Sequence, residues 1–224
     1  MRPTTRVGRR DFAADSNQPH GLSLLLCSHP TCTPVECGKD PVSEIRSIPG
    51  LKRSYASRPT EIQEYFEHLC PLVDSYPLEV GLAYAFSRLE TAQNVALYCG
   101  LVKVHRANAK IARAAIDAYF KTTADFEDKY LNVFGHKMPS RARTALSHAQ
   151  NVRNQVLHGK VASAKDKRNA IARVLDFAVS VNAHVNGLAG FMPFDDLRGF
   201  KGRAASLDES TTKWILRGMG FPVR

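Results

Sequence analysis

Leu78, Leu82, Ala85, Phe86, Leu89, Ala92, Ala96 and Leu97 recur at helical spacing, so one continuous apolar face extends over about five turns. Ser75 and Pro77 supply start signals just before it, and the pattern ends near Gly100 or continues there with a kink. A face of this length must be covered by other elements. No alternating run of strand length occurs in the chain, and no internal repeat is present, so the cover must be helical.

Further segments carry the same period. Residues 60 to 69 form a short leading helix with Ile62, Tyr65, Phe66 and Leu69 inward, interrupted by Pro71. Ile111, Ala114, Ala115, Ala118 and Tyr119 mark an amphipathic helix over 107 to 121, with Lys110, Arg113 and Asp117 opposite. Thr122 and Asp125 resemble a capping box for a helix that turns Phe126, Tyr130, Val133 and Phe134 inward and stops at Gly135.

Beyond Pro139, Ala142, Ala145, Leu146, Ala149, Val152 and Val156 define a buried stripe that ends at Gly159. Ser163 caps the next helix, where Ile171, Val174, Leu175, Ala178 and Val185 recur up to Gly187, and its first turns expose Lys165, Lys167 and Arg168. Ser206 and Glu209 then cap a last short helix, docked by Trp214, Ile215 and Met219. The expected fold is an all-α antiparallel helical bundle with about four or five core helices, over residues 58 to 190. Residues 191 to 224 form a loop and short helix packed on it.

Residues 1 to 57 are rich in Pro, Ser, Thr, Gly and Arg without sustained periodicity, and read as a poorly ordered tail or linker. Within them Cys27, Cys32 and Cys37 recur with four residues between each pair, and His29 lies among them. Zinc could be held there, although structural zinc sites usually draw on two paired halves and the second is missing. No other metal or cofactor is expected.

Five cysteines, an odd number in a chain too large to need disulfides, suggest a reducing, cytoplasmic setting. No run approaches the ~18 apolar residues of a membrane span. Residues 21 to 27 are too short for a secretory segment, and Asp11 and Asp15 precede them.

The charge is unevenly placed. The chain carries 31 Lys and Arg against 21 Asp and Glu, a net +10 that points to polyanionic partners. Residues 135 to 173 hold nine basic residues against the single acid Asp166, and so account for eight of the ten net charges. Such clustering is the electrostatic footprint of a phosphate-binding face.

Within that segment lies Arg153-Asn154-Gln155-Val156-Leu157-His158, followed by Gly159 and Lys160. Arg153 falls beside the buried stripe of its helix, and His158 lies five residues on, about 140° around, at a helix end that would need to loosen for both to reach one groove. Imidazole exchanges a proton near neutral pH, and guanidinium is a permanent planar donor matched to phosphate oxygens. Together they suit RNA cleavage without metal: the 2′-hydroxyl attacks phosphorus, histidine handles the proton, and arginine stabilises the developing charge. DNA lacks that hydroxyl.

Arg153-Asn154-x-x-x-His158 resembles the R-x4-6-H motif of the HEPN superfamily, where Asn is one of the residues typical after Arg and a Gly after His is frequent. The resemblance extends by helix order over residues 60 to 188. It implies a ribonuclease in which Arg153 and His158 are catalytic and Asn154 positions them or the substrate. It also implies a homodimer that joins two motifs in one composite site, with a role in toxin, defence or RNA-processing systems and a possible antitoxin or other protein partner. Arg141, Arg143, Lys160, Lys165, Lys167 and Arg168 would then hold the RNA backbone.

Two other readings remain open. The bundle could bind nucleic acid or protein without catalysis, with Arg153 in a salt bridge, for example to Glu90, and His158 serving only as a favourable cation at a helix C-terminus. The tail cysteines could instead serve a zinc-dependent regulator.

Overall fold

The structure is a computed structural model, and it describes residues 44 to 118, 123 to 198, 200 to 202 and 205 to 223. The zinc candidates Cys27, His29, Cys32 and Cys37 lie outside the described residues, as do Tyr119 and Thr122. Among the described residues there are nine α-helices and no strand, so the all-α expectation holds. In chain order they are α1 (Ile48–Ala56), α2 (Thr60–Tyr65), α3 (Leu69–Ser75), α4 (Leu78–Lys103), α5 (Ala109–Asp117), α6 (Thr123–Phe134), α7 (Ser140–Leu157), α8 (Ala164–Ala189) and α9 (Glu209–Gly218).

Helix α8 is the centre of the bundle, with α7 and α4 packed along it and α1 and α2 against it. Its N-terminus is closed by Ser163, whose hydroxyl accepts from the Asp166 N–H at 3.1 Å. Ile171, Val174, Leu175, Phe177, Ala178, Val181 and Val185 are all at most 1% exposed, and it continues past Gly187 to Ala189. Helix α4 also runs straight through its glycine. A Cβ on Gly100 would sit 2.5 Å from Val133 Cγ1 and 3.0 Å from Phe134 Cζ, so this glycine serves the close approach of α6 and does not end the helix.

Four sequence expectations are corrected by packing. Residues 44 to 57 belong to the helical body: Leu51 of α1 and Ile45 are buried, and the Ile45 N–H donates to Asn169 Oδ1 at 2.9 Å. Nine residues with one buried leucine are too short to register as a period. Pro71 does not simply interrupt a helix; it sits in the first turn of α3, where a missing N–H costs nothing.

In α5 the buried residues are Ala112, Ala115 and Ile116, with Ala114 and Ala118 exposed. Alanine-rich helices carry little information about which side faces in. Helix α9 is capped by Asp208, which accepts from the Thr211 N–H at 3.0 Å, and not by Ser206. It docks through Thr212 and Leu216, while Trp214 between them is 76% exposed.

Two groups between α6 and α8 carry a pH prediction. Tyr130 Oη lies 2.7 Å from His184 Nδ1 and the rings stack, with centroids 5.9 Å apart. Burial, and then the neighbouring His136, hold the His184 imidazole below its ordinary value. The unfolded chain therefore takes up this proton at a higher pH than the folded one. Stability is fully present above about pH 6.5 and declines as pH falls below it. Urea denaturation at pH 7, 6 and 5 should show that decline, and His184→Gln should flatten it; an unchanged slope in the variant would remove His184 as its source.

Candidate functional site

Helix α7 contains no acidic residue. Ala142, Ala145, Leu146 and Ala149 face the core, with Val152 and Val156 partly buried behind them, so the helix is fixed on α8 by small and branched side chains. Its remaining surface is amide, imidazole and guanidinium.

The C-terminal end is closed, not frayed. The Gly159 N–H donates to the Val156 carbonyl at 3.1 Å and the Lys160 N–H to the Gln155 carbonyl at 2.8 Å, the paired bonds of a Schellman cap. Gly159 takes φ +68° there, a conformation that strains any residue with a Cβ. His158 is thus the last residue before a rigid turn, with its N–H bonded to the Asn154 carbonyl at 3.0 Å. Its imidazole projects from a defined backbone position.

Asn151, Asn154, Gln155, His158 and Lys160 line an open hollow of about 330 Å³ beside this turn. None of these is acidic. Asn151 and Gln155 were not singled out in the sequence, yet the spacing was visible: 151, 154, 155 and 158 repeat at i, i+3, i+4 and i+7 on one face. Leu157 and Val161, 66% and 98% exposed, flank the hollow in sequence.

Arg153 is not among the residues lining that hollow. One of its terminal nitrogens lies 2.8 Å from Glu90 Oε1 of α4, and its guanidinium carbon sits 5.1 Å from the centre of the Phe86 ring. The partner named in the sequence reading is therefore the one observed. Both side chains are well exposed, at 34% for Arg153 and 50% for Glu90, so the pair contributes only about 0–1 kcal/mol.

The other basic residues separate into two groups. Arg141 is exposed, and Arg143 lies 4.0 Å from Glu127; both are at the opposite end of α7, roughly 22–25 Å along the axis from His158. On α8, Lys165 pairs with Glu44 and Lys167 with Glu79, and each lysine holds its carboxyl partner below the usual range mainly through a direct hydrogen bond. Arg168 donates to the Ile45 carbonyl at 3.2 Å and to the Arg46 carbonyl at 2.7 Å. These three side chains fasten the segment before α1, and the start of α4, to α8. Their charge surplus is spent locally, which no segment count can reveal.

Among the described residues, no group of three His, Cys, Asp or Glu side chains is placed to hold a metal ion. Cys70 and Cys99 are free thiols, and burial pushes the Cys99 thiol up to about 11. No helix of the described residues is long and apolar enough to cross a membrane. No protein-family model, curated protein or solved structure matches the chain.

Proposed function

We propose that the chain is an endoribonuclease of the HEPN kind that cleaves single-stranded RNA by attack of the 2′-hydroxyl on the adjacent phosphorus. The observation that carries this reading is the acid-free hollow at the end of α7, where His158, Asn154 and Lys160 are exposed together. His158 would move the proton, Lys160 and Asn154 would hold phosphate oxygens, and Arg153 would stabilise the charge that develops on them. Arg153 must exchange Glu90 for phosphate to do so. A half-exposed pair of about 0–1 kcal/mol permits that exchange, because phosphate is an equally good bidentate acceptor.

Arg141 and Arg143 lie where they would guide a strand running the length of α7. The exposed Leu157 and Val161 beside His158 favour pairing with a second copy, which would place two hollows side by side, or with another protein such as an antitoxin. We place this activity in the cytoplasm, in a toxin, defence or RNA-processing role.

The test is cleavage of a uridine-rich single-stranded RNA in EDTA by the purified full chain, with a 2′-O-methyl version of the same strand as control. The wild type should cut only the strand with free 2′-hydroxyls. His158→Ala and Arg153→Ala should not cut, with helicity retained. Equal activity in mutants and wild type ends the reading.

The Arg153–Glu90 pair favours a second reading, a nucleic-acid-binding or interaction module without catalysis. A double-mutant cycle with Arg153→Ala and Glu90→Ala should give a coupling of about 0.5 kcal/mol in urea denaturation, as for other exposed pairs. A coupling above ~2 kcal/mol would make Arg153 a structural residue and favour the second reading.

A further inference from the structure

The chain has one tryptophan, and it is exposed. Helix α9 needs only Thr212 and Leu216 to hold its place, the former accepting from the Asn108 N–H at 3.1 Å. Trp214 lies between these anchors in sequence and on the far side of the helix, with 76% of its surface in solvent. Burying an indole is worth several times what a small side chain yields, so an exposed one on an ordered helix forgoes that stabilisation.

The surroundings keep the ring open. One turn before it stands Ser210 and one turn after it Gly218, both small, and a Cβ added at Gly218 would meet nothing within 4 Å. Lys213 and Arg217 flank the indole on the same side of the helix. The nearer acids are turned away or engaged. Asp208 accepts from the Ser210 hydroxyl at 2.6 Å and from the Thr211 hydroxyl at 2.7 Å, and Glu209 lies five residues back, about 140° around the helix. Arg217 is fixed near the chain end by its Nε, which donates to the Val223 carbonyl at 3.3 Å, and Lys129 of α6 sits over Phe221 at 5.6 Å. An exposed aromatic face with cations on one side and no carboxylate among them is complementary to a base with its phosphates.

We infer that Trp214, with Lys213 and Arg217 beside it, is a stacking platform for an unpaired base of single-stranded nucleic acid. It lies on a different helix from the α7 hollow and would grip the strand without reading its sequence. It shares with the ribonuclease reading only the premise that nucleic acid is the partner.

Because Trp214 is the sole tryptophan, its fluorescence reports the contact directly. The full chain is titrated with a fluorescein-free twelve-nucleotide 2′-O-methyl oligouridine, which cannot be cleaved by 2′-hydroxyl attack. Emission should be quenched saturably. The dissociation constant should rise about sevenfold between 50 and 200 mM salt if two phosphates are held. With labelled oligonucleotide and anisotropy as readout, Trp214→Ala should weaken binding about tenfold and Trp214→Phe should restore most of it. Lys213→Gln with Arg217→Gln should flatten the salt dependence.

Binding seen by anisotropy without quenching would place the strand elsewhere and overturn the platform. So would quenching produced by anionic vesicles or by raising protein concentration, but not by the oligonucleotide. His158→Ala should quench like the wild type; its loss of cleavage with quenching intact separates the two sites.

Discussion

Replacing His158 with alanine is expected to lower cleavage of single-stranded RNA at least about a hundredfold, the usual contribution of a positioned acid–base group. The chain should remain as helical and nearly as stable. His158 is exposed, and its backbone bonds close the helix whatever its side chain. The effect therefore belongs to chemistry and not to folding. Arg153→Ala should fall in the same direction, and Arg153→Lys should recover little, since a point charge cannot replace the planar two-pronged donor. Steady-state rates with the same RNA, taken with circular dichroism of each variant, decide this. A His158→Ala protein that cuts at more than a tenth of the wild-type rate would exclude the imidazole as the acid–base group.

A larger loss of stability is expected at a place with no role in chemistry. Asp176 of α8 is 8% exposed and lies 2.8 Å from a terminal nitrogen of Arg58, itself only 20% exposed. Arg58 Nε is buried and, among the described residues, has no hydrogen-bond partner. Asp176→Ala would leave a guanidinium enclosed without its counter-charge, at a cost of about 3 kcal/mol. At ~2–4 °C per kcal/mol for a domain of this size, the melting temperature should drop by about 6–12 °C. Changing both partners, Arg58→Met with Asp176→Leu, should recover most of that, because neither charge is then stranded. Urea denaturation of the three proteins measures it. A single mutant within about 0.5 kcal/mol of the wild type would mean that water reaches the pair and screens it.

How much of this was legible beforehand depended on the length and composition of each element. Leu82, Phe86, Leu89 and Leu97 in α4, and Ile171, Val174 and Leu175 in α8, are large and regularly spaced, so their burial follows from periodicity. Helix α5 is mostly alanine, and a methyl group barely distinguishes one face from another. Helix α1 is short, with a single leucine fully inside, and was absorbed into the tail by composition. Trp214 was expected to dock α9 because indole is large and apolar, but one turn holds only one inward position, and Leu216 occupies it.

The motif was equally divided. That Arg153, Asn154 and His158 lie at the end of a helix, closed by Gly159, follows from the residues themselves, because glycine is the residue that adopts the left-handed turn without strain. Likewise the all-α class, the apolar faces and the basic character of residues 135 to 173 are local properties of the chain. Which cations remain available is not local. Glu44, Glu79 and Glu90 are 63 to 121 residues from Lys165, Lys167 and Arg153, and only folding brings each carboxylate to its partner. Charge is written in the sequence, but its neutralisation falls off with distance in space, so the tertiary structure alone decided that the end of α7, and not the start of α8, presents the open polar surface.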